Sequence, residues 1–125
     1  MKFLLLIGLI FSISACNATN ESYYMLHPKE LQQKVTQCSA NKKVDTACEK
    51  LQILANEMEV LAMDLSYSPQ GFGKKILALQ QKISQRESFL KKNKGQPDLK
   101  AQLVREKHEL KLRLATVRWL ESPGS

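Results

Sequence analysis

The sequence predicts an all-α protein: a short N-terminal helix stapled by a disulfide to an up-down-up three-helix bundle or to a long helical hairpin. Apolar residues recur at helical spacing through most of 46–121, and segments containing proline and glycine interrupt this pattern at 66–71 and 91–97. No segment alternates apolar and polar residues as a strand does, and no hairpin-turn dipeptide lies between apolar runs. Short connections make successive helices antiparallel neighbours.

The first predicted helix covers 28–37. It begins at Pro28, because proline is favoured at the first helical position, where its missing N–H costs nothing. Leu31 and Val35 are expected to face inward. A polar connection, 39–45, follows.

A capping box marks the start of the second predicted helix. Thr46 and Glu49 have the spacing at which a Thr hydroxyl and a Glu carboxylate each bond a backbone N–H of the first turn. The apolar residues that follow are spaced 3, 4, 3 and 4, which is typical of a coiled-coil seam. This seam consists of Leu51, Leu54, Met58, Leu61 and Leu65.

Two further helices follow in the same domain, 46–121. The third is expected to bury one face, formed by Phe72, Ile76, Leu79, Ile83 and Leu90. Gly95 suits a helix C-cap and Pro97 suits the next helix start. The fourth helix covers 98–121 and residues 122–125 should fray. Its inward stripe is predicted to consist of Leu99, Leu103, Leu110, Leu114 and Val117.

The fourth helix also carries a second apolar band, roughly opposite the first, and a narrow basic arc between the two bands. One interpretation is that this helix lies between two other helices of the same chain. The other is a partner-binding face, with Trp119 as an aromatic anchor and the arc as its rim. The candidate partner-binding residues are Val104, His108, Leu112 and Trp119 of the band, which also contains Ala115, and Lys100, Lys107, Lys111 and Arg118 of the arc.

The N-terminus has the pattern of an export signal, 1–15. Lys2 provides a positive charge, and the apolar run 3–13 is too short to span a bilayer. Residues 13–16, Ile-Ser-Ala-Cys, resemble the lipobox of bacterial lipoproteins, which implies cleavage before Cys16 and a lipid on its thiol. An ordinary secretory signal that ends near a cysteine is the alternative.

The lipoprotein interpretation predicts how the mature chain is held. Residues 16–22 would form a lipidated tether, followed by the short helix and disulfide loop in 23–48. Asn17 stands where an Asp commonly retains lipoproteins in the inner membrane, and this favours the outer membrane. The partners expected are therefore the membrane itself, through the anchor, and an envelope protein. The oligomeric state is left open.

The three cysteines fit this interpretation. If Cys16 carries lipid, Cys38 and Cys48 remain as one pair in an oxidising compartment, where a disulfide is expected. A metal site is the alternative, but two cysteines without a nearby histidine supply only half of its ligands.

The chain has a net charge of +7, and removal of the signal takes away only one charged residue. A basic surface suits anionic lipid head groups or other envelope polyanions, and also weak nucleic-acid binding, but this excess alone is too small to predict either kind of partner.

Residues that could perform catalysis are few. His27 fits a helix start, and His108 lies in mid-helix without the second histidine of a zinc motif. Glu57 and Asp64, two turns apart, fit a charged helix surface better than a metal clamp. No catalytic residue, metal or cofactor is therefore predicted.

Residues 23–31, with the HPKEL run at 27–31, precede the cysteine pair and follow the lipobox. Together these features resemble the entry-exclusion (EexN-like) lipoproteins of conjugative systems. The resemblance implies a protein of the recipient envelope that blocks redundant type IV transfer. It covers only 1–48, and those proteins usually end soon after the second cysteine, whereas this chain continues with a long helical segment.

Over its whole length, including 69–80 and 119–123, the chain is similar to small lipoproteins of intracellular gammaproteobacteria that carry type IV secretion systems. Some of these are named secreted endonucleases. A nuclease is therefore an alternative, with Glu106, His108 and Glu109 as its best candidates. The main functional prediction is an envelope interaction module, for entry exclusion or as an accessory of a secretion apparatus. A structural protein that contacts lipid or peptidoglycan is the other alternative.

Overall fold

The computed structural model describes residues 20–40 and 45–122. The export signal, Cys16 and residues 17–19 of the tether lie outside the described residues, as do 123–125 of the predicted frayed end. The described part of the chain is all-α, as predicted, with no strand. Its five helices are α1 (Glu21–Leu26), α2 (Pro28–Ala40), α3 (Thr46–Tyr67), α4 (Pro69–Lys92) and α5 (Pro97–Glu121).

The N-terminal region is more helical than the sequence suggested. Glu21 and Ser22, which were expected to end the tether, begin α1, and Met25 of this helix is buried in the core. The next helix, α2, continues to Ala40 instead of ending at residue 37. Both additions bring residues of the short N-terminal segment into contact with the main bundle, so this segment is part of the core.

The cap of α3 is not the one predicted. The carboxylate of Asp45 accepts a hydrogen bond from the backbone N–H of Cys48 at 2.6 Å. The Asp45 backbone is extended, with φ −101° and ψ 161°, as an N-cap requires. Thr46 is already the first helical residue, so the predicted capping box is wrong by one position. Aspartate is a strong N-cap residue, and it precedes the threonine here.

The predicted disulfide is confirmed. Cys38 in the last turn of α2 is bonded to Cys48 in the first turn of α3, with Cα atoms 5.8 Å apart. The bond holds α2 against α3, and the apolar side chains of α1 and α2 complete a core that α3 and α5 also line. This core consists of Met25, Leu31, Leu51, Leu54, Met58, Leu112 and Ala115.

Two ion pairs show how the long helices are oriented. Glu57 lies beside His108, and Asp64 lies beside Arg113. The residue numbers increase together along α3 and α5, so these helices run in the same direction. The helix between them in sequence, α4, is joined to α3 through Ser68 alone and to α5 through residues 93–96. The long helices are therefore arranged up-down-up.

The α4–α5 connection has the predicted helix start at Pro97 but not the predicted C-cap at Gly95. The helix α4 ends at a cap on Asn93, and α5 begins with Pro97 in its first turn. Gly95 between them has a positive φ of 94°, which glycine adopts without strain. Gly95 lies two residues past the cap, so it turns the chain but is not the cap residue itself.

The central helix of the fold is α5, which packs against α1, α3 and α4. This confirms the interpretation that it lies between other helices of the same chain. Its buried residues match the predicted stripes only in part, because it has three neighbours: Leu112 and Ala115 belong to the second band, whereas Arg113 and Thr116 belong to neither. Leu114 was expected to face inward but is 46 % exposed. The buried residues of α5 are Leu112, Arg113, Ala115 and Thr116.

Arg113 is charged and yet only 7 % exposed. Its Nε donates a hydrogen bond to Glu109 at 3.0 Å, and its Nη1 lies 3.7 Å from a carboxylate oxygen of Asp64 on α3. The guanidinium also lies over the ring of Phe72 on α4, 4.9 Å from the ring centroid. One side chain of α5 therefore contacts both of the other long helices.

Substitution of Arg113 can separate packing from charge. Arg113→Ala should lower the free energy of unfolding by about 2–4 kcal/mol, because it leaves a cavity and removes the partner of two carboxylates. Arg113→Met removes the same charge but keeps most of the volume, and it should cost less than about 1 kcal/mol, because the carboxylates of Asp64 and Glu109 are partly exposed to water. Urea unfolding followed by circular dichroism measures both. Equal losses in the two variants would mean that the charge, and not the packing, holds the junction.

The disulfide closes a short loop, and the length of that loop sets how much the bond should contribute to the free energy of unfolding. Cys38→Ser/Cys48→Ser is expected to lower the free energy of unfolding by about 2–3 kcal/mol, through a less constrained unfolded chain. Reductant should shift the unfolding midpoint of the natural chain to that of the double variant. If reductant did not change the unfolding midpoint of the natural chain, the expected contribution of the disulfide would be contradicted.

Candidate interaction surfaces

The predicted apolar band of α5 does not form one exposed face. Val104 is 67 % exposed, whereas Leu112 is 5 % exposed and belongs to the core. Trp119 is half-buried and packs against the core from outside, next to Met25 and Pro28. Its ring therefore covers the junction between α1 and α2.

The basic arc is solvent-exposed along the whole of α5. Lys107 forms an ion pair of 2.6 Å with Glu87 on α4, and the hydrogen bond and charge from this lysine lower the pKa of the Glu87 carboxyl. At the other end of the arc, Lys111 and Arg118 line a shallow depression with Leu114 and with α1. We call this surface the basic strip; it consists of Lys100, Lys107, Lys111 and Arg118.

A second seam on α3 was not predicted. Besides its buried seam, α3 carries four large apolar side chains that are 57 to 92 % exposed. Together with one asparagine they follow the same spacing of 3 and 4, two residues out of step with the buried seam, and this spacing was the signal that could have found them. We call this surface the outer seam; it consists of Ile53, Asn56, Val60, Met63 and Tyr67.

A groove between α3 and α5 runs beside the outer seam. Its volume is about 470 Å³, and most of its accessible lining is apolar. The groove brings His108 and Leu112, two of the predicted partner-binding residues, together with residues of α3 that the sequence did not connect to them. The lining residues are Ile53, Asn56, Glu57, Val60, Leu61, His108, Glu109 and Leu112.

The surroundings of the groove are acidic, although the chain as a whole is basic. Glu57 and Glu109 line it, and Glu59 is exposed on the outer flank of the seam. Glu57 has only a distant partner in the groove, the His108 ring nitrogen at 3.8 Å. The groove and the basic strip are therefore two surfaces of opposite charge on one helix bundle.

The candidate catalytic residues do not converge. Glu106 accepts two hydrogen bonds from Arg86 on α4, at 2.6 and 3.2 Å, whereas Glu109 is bonded to Arg113 within α5. His108 faces α3. Each of the three candidates is thus directed at a different neighbour, and the bidentate pair with Arg86 joins α4 to α5.

The position of His27, the other histidine of the chain, is explained by local structure. His27 caps α1, with its Nδ1 2.8 Å from the carbonyl oxygen of Tyr23, and its ring stacks on the tyrosine ring. Within 20–40 and 45–122, no three His, Cys, Asp or Glu side chains are grouped as metal ligands. None of the helices in these ranges has the length and apolarity to cross a bilayer.

Comparison of the chain with protein-family models, with curated proteins and with solved structures finds no match. A functional interpretation of this fold therefore depends on the residues and surfaces described above. Among these surfaces, the outer seam with its groove combines four exposed large apolar side chains of one helix with an adjacent depression.

Proposed function

We propose that this protein is a lipoprotein of the bacterial outer membrane that binds a helix of an envelope protein in the groove between α3 and α5. The resemblance to entry-exclusion lipoproteins favours a role in conjugation or as an accessory of a type IV secretion apparatus. In that role the protein binds a component of the transfer machinery and does not catalyse a reaction.

The exposure of the outer seam is the observation that carries this proposal. Val60 and Met63 are 59 and 65 % exposed, and Tyr67 is 92 % exposed. Burial of one such side chain contributes roughly 1.5–3 kcal/mol, so a seam of four left in water is a surface suited to a partner.

The spacing and the charge of the groove define the partner. An a/d seam over two heptads matches the apolar stripe of another helix, and Asn56 within the seam would fix the register. Two copies of this surface would bring the acidic Glu57 and Glu59 of both chains to one interface, and this meeting of like charges disfavours a symmetric pair of this chain. The fitting occupant is an amphipathic helix flanked by Lys or Arg.

The anchor keeps this groove near the membrane. Cys16 is four residues before Asn20, the first described residue, so an extended tether spans at most about 14 Å. A lipid on Cys16 would therefore restrict the bundle to a thin layer above the bilayer, where a partner embedded in the same membrane is within reach.

Substitution of the anchor residue tests the first half of the proposal. The Cys16→Ser chain should not be cleaved by the lipoprotein signal peptidase and should not carry acyl groups. Mass spectrometry of envelope extracts measures both outcomes. Cys38→Ser/Cys48→Ser is the matched control, because it removes two thiols and should keep both features. Unchanged processing of Cys16→Ser would show that the chain is not a lipoprotein.

Substitution of the outer seam tests the second half. A photo-crosslinking residue at position 60 should give one defined adduct in cells that carry the transfer machinery, and the same residue at position 74 on α4 should not. Val60→Lys should lose most of the exclusion of incoming plasmid by recipient cells, measured as conjugation frequency. Because Val60 is exposed, stability should change by no more than about 0.5 kcal/mol. If recipient cells with Val60→Lys excluded the plasmid as well as cells with the natural chain, the groove would not be the binding site.

A further inference from the structure

We infer that the basic strip of α5 and the aliphatic side chains beside it form a membrane-facing surface that rests on anionic phospholipid head groups. This inference deepens the proposed function, because it depends on the anchor at Cys16 and adds how the anchored bundle is oriented. The partner is a lipid surface and not an acidic protein.

The basic strip has the geometry of a surface that can lie flat. At 100° per residue, its four side chains fall within an arc of about 40°, and at 1.5 Å per residue they extend over about 27 Å. Lys100 and Arg118 mark its two ends, and both are exposed. A plane of negative charge can therefore contact all four basic groups at once, which a small concave partner cannot do.

Aliphatic side chains accompany the charges. Val104 is 67 % exposed on one side of the strip, Leu114 is 46 % exposed on the other, and Leu26 of α1 is 43 % exposed near its end. Basic side chains interleaved with exposed aliphatic ones are typical of helices that lie in the plane of a membrane interface. Glu87, which is paired with Lys107, is the acidic side chain bonded to the strip among the described residues.

The first described helix, α1, lies beside one end of the basic strip. Ser22 and Leu26 of α1 line the depression that also contains Lys111 and Arg118. Since Cys16 precedes Ser22 by six residues, an extended chain places the lipid within about 21 Å of this depression. The anchor thus holds the strip close to the head groups, where one acyl signal and one basic surface reinforce each other.

The same orientation leaves the groove accessible. Around α5, Leu112 in the groove is about 120° from Arg118 in the strip. When the bundle rests on its basic strip, the groove therefore faces sideways, parallel to the membrane. The acidic Glu57 and Glu59 then lie away from the anionic lipid. A partner helix in the groove would then lie beside the bundle, above the membrane plane.

Lysine footprinting on vesicles tests this orientation. The mature chain, 16–125, contains every residue of the core, and its one thiol outside the disulfide is Cys16. This thiol can be coupled to a maleimide lipid in vesicles of phosphatidylcholine, with or without phosphatidylglycerol. Acetylation rates of each lysine are then read by mass spectrometry. Lys100 and Lys111 should react at least about fivefold more slowly when phosphatidylglycerol is present.

Lys74 and Lys82 serve as internal controls. They are exposed on α4, each about 140° around that helix from Glu87, which marks the side next to the strip. Their rates should not change. The variant Lys111→Glu/Arg118→Glu should lose the protection of Lys100, and the charge-matched Lys74→Glu/Lys82→Glu should keep it.

Two results would overturn the inference. One is equal acetylation of Lys100 and Lys111 on both kinds of vesicle, which would leave the strip for an acidic protein surface. The other is protection of Lys74 and Lys82, which would mean that a different face rests on the lipid. Because the coupling is chemical, either result leaves the acylation of Cys16 in cells as a separate question, which the Cys16→Ser variant answers.

Discussion

The arrangement of the bundle depends on one buried guanidinium. Arg113 places a positive charge where α3, α4 and α5 meet, and a buried charge is tolerated only if its partners are in place. Asp64 and Glu109 supply the carboxylates, and Phe72 supplies a ring face. Apolar seams alone would allow the helices to slide by a turn. The guanidinium disfavours such a shift, because a shifted register would separate it from Asp64 on α3 and from Phe72 on α4.

The central position of α5 creates both proposed surfaces. Its contacts with α3 leave a groove on one side, and its contacts with α1 and α4 leave the basic strip on another. The acidic and basic side chains are therefore segregated on a small bundle whose net charge alone would suggest a uniformly basic surface. Such segregation suits a protein that faces an anionic bilayer and a cationic partner helix at the same time.

The sequence predicted the parts of the fold that depend on one helix and one neighbour. Leu54 and Phe72 lie on regular amphipathic faces, and both are buried as expected. The pattern failed on α5, where burial by three neighbours hides Arg113 and Thr116 and exposes Leu114. Thr116 can be buried because its hydroxyl donates a hydrogen bond to the carbonyl oxygen of Leu112. A hydropathy pattern contains no information about this bond. The basic strip was visible from spacing alone, whereas the groove depends on how two distant helices pack.

The disulfide also has a mechanical consequence. A chain that is fixed to a membrane at its N-terminus and to a partner through α3 is loaded in tension whenever the two move apart. In the proposed function, the load would pass from the anchor through α1 and α2, and the bond between Cys38 and Cys48 would transfer it directly to the first turn of α3. The disulfide would thus keep the end of α2 beside the first turn of α3 even if the packing of the two short helices gave way.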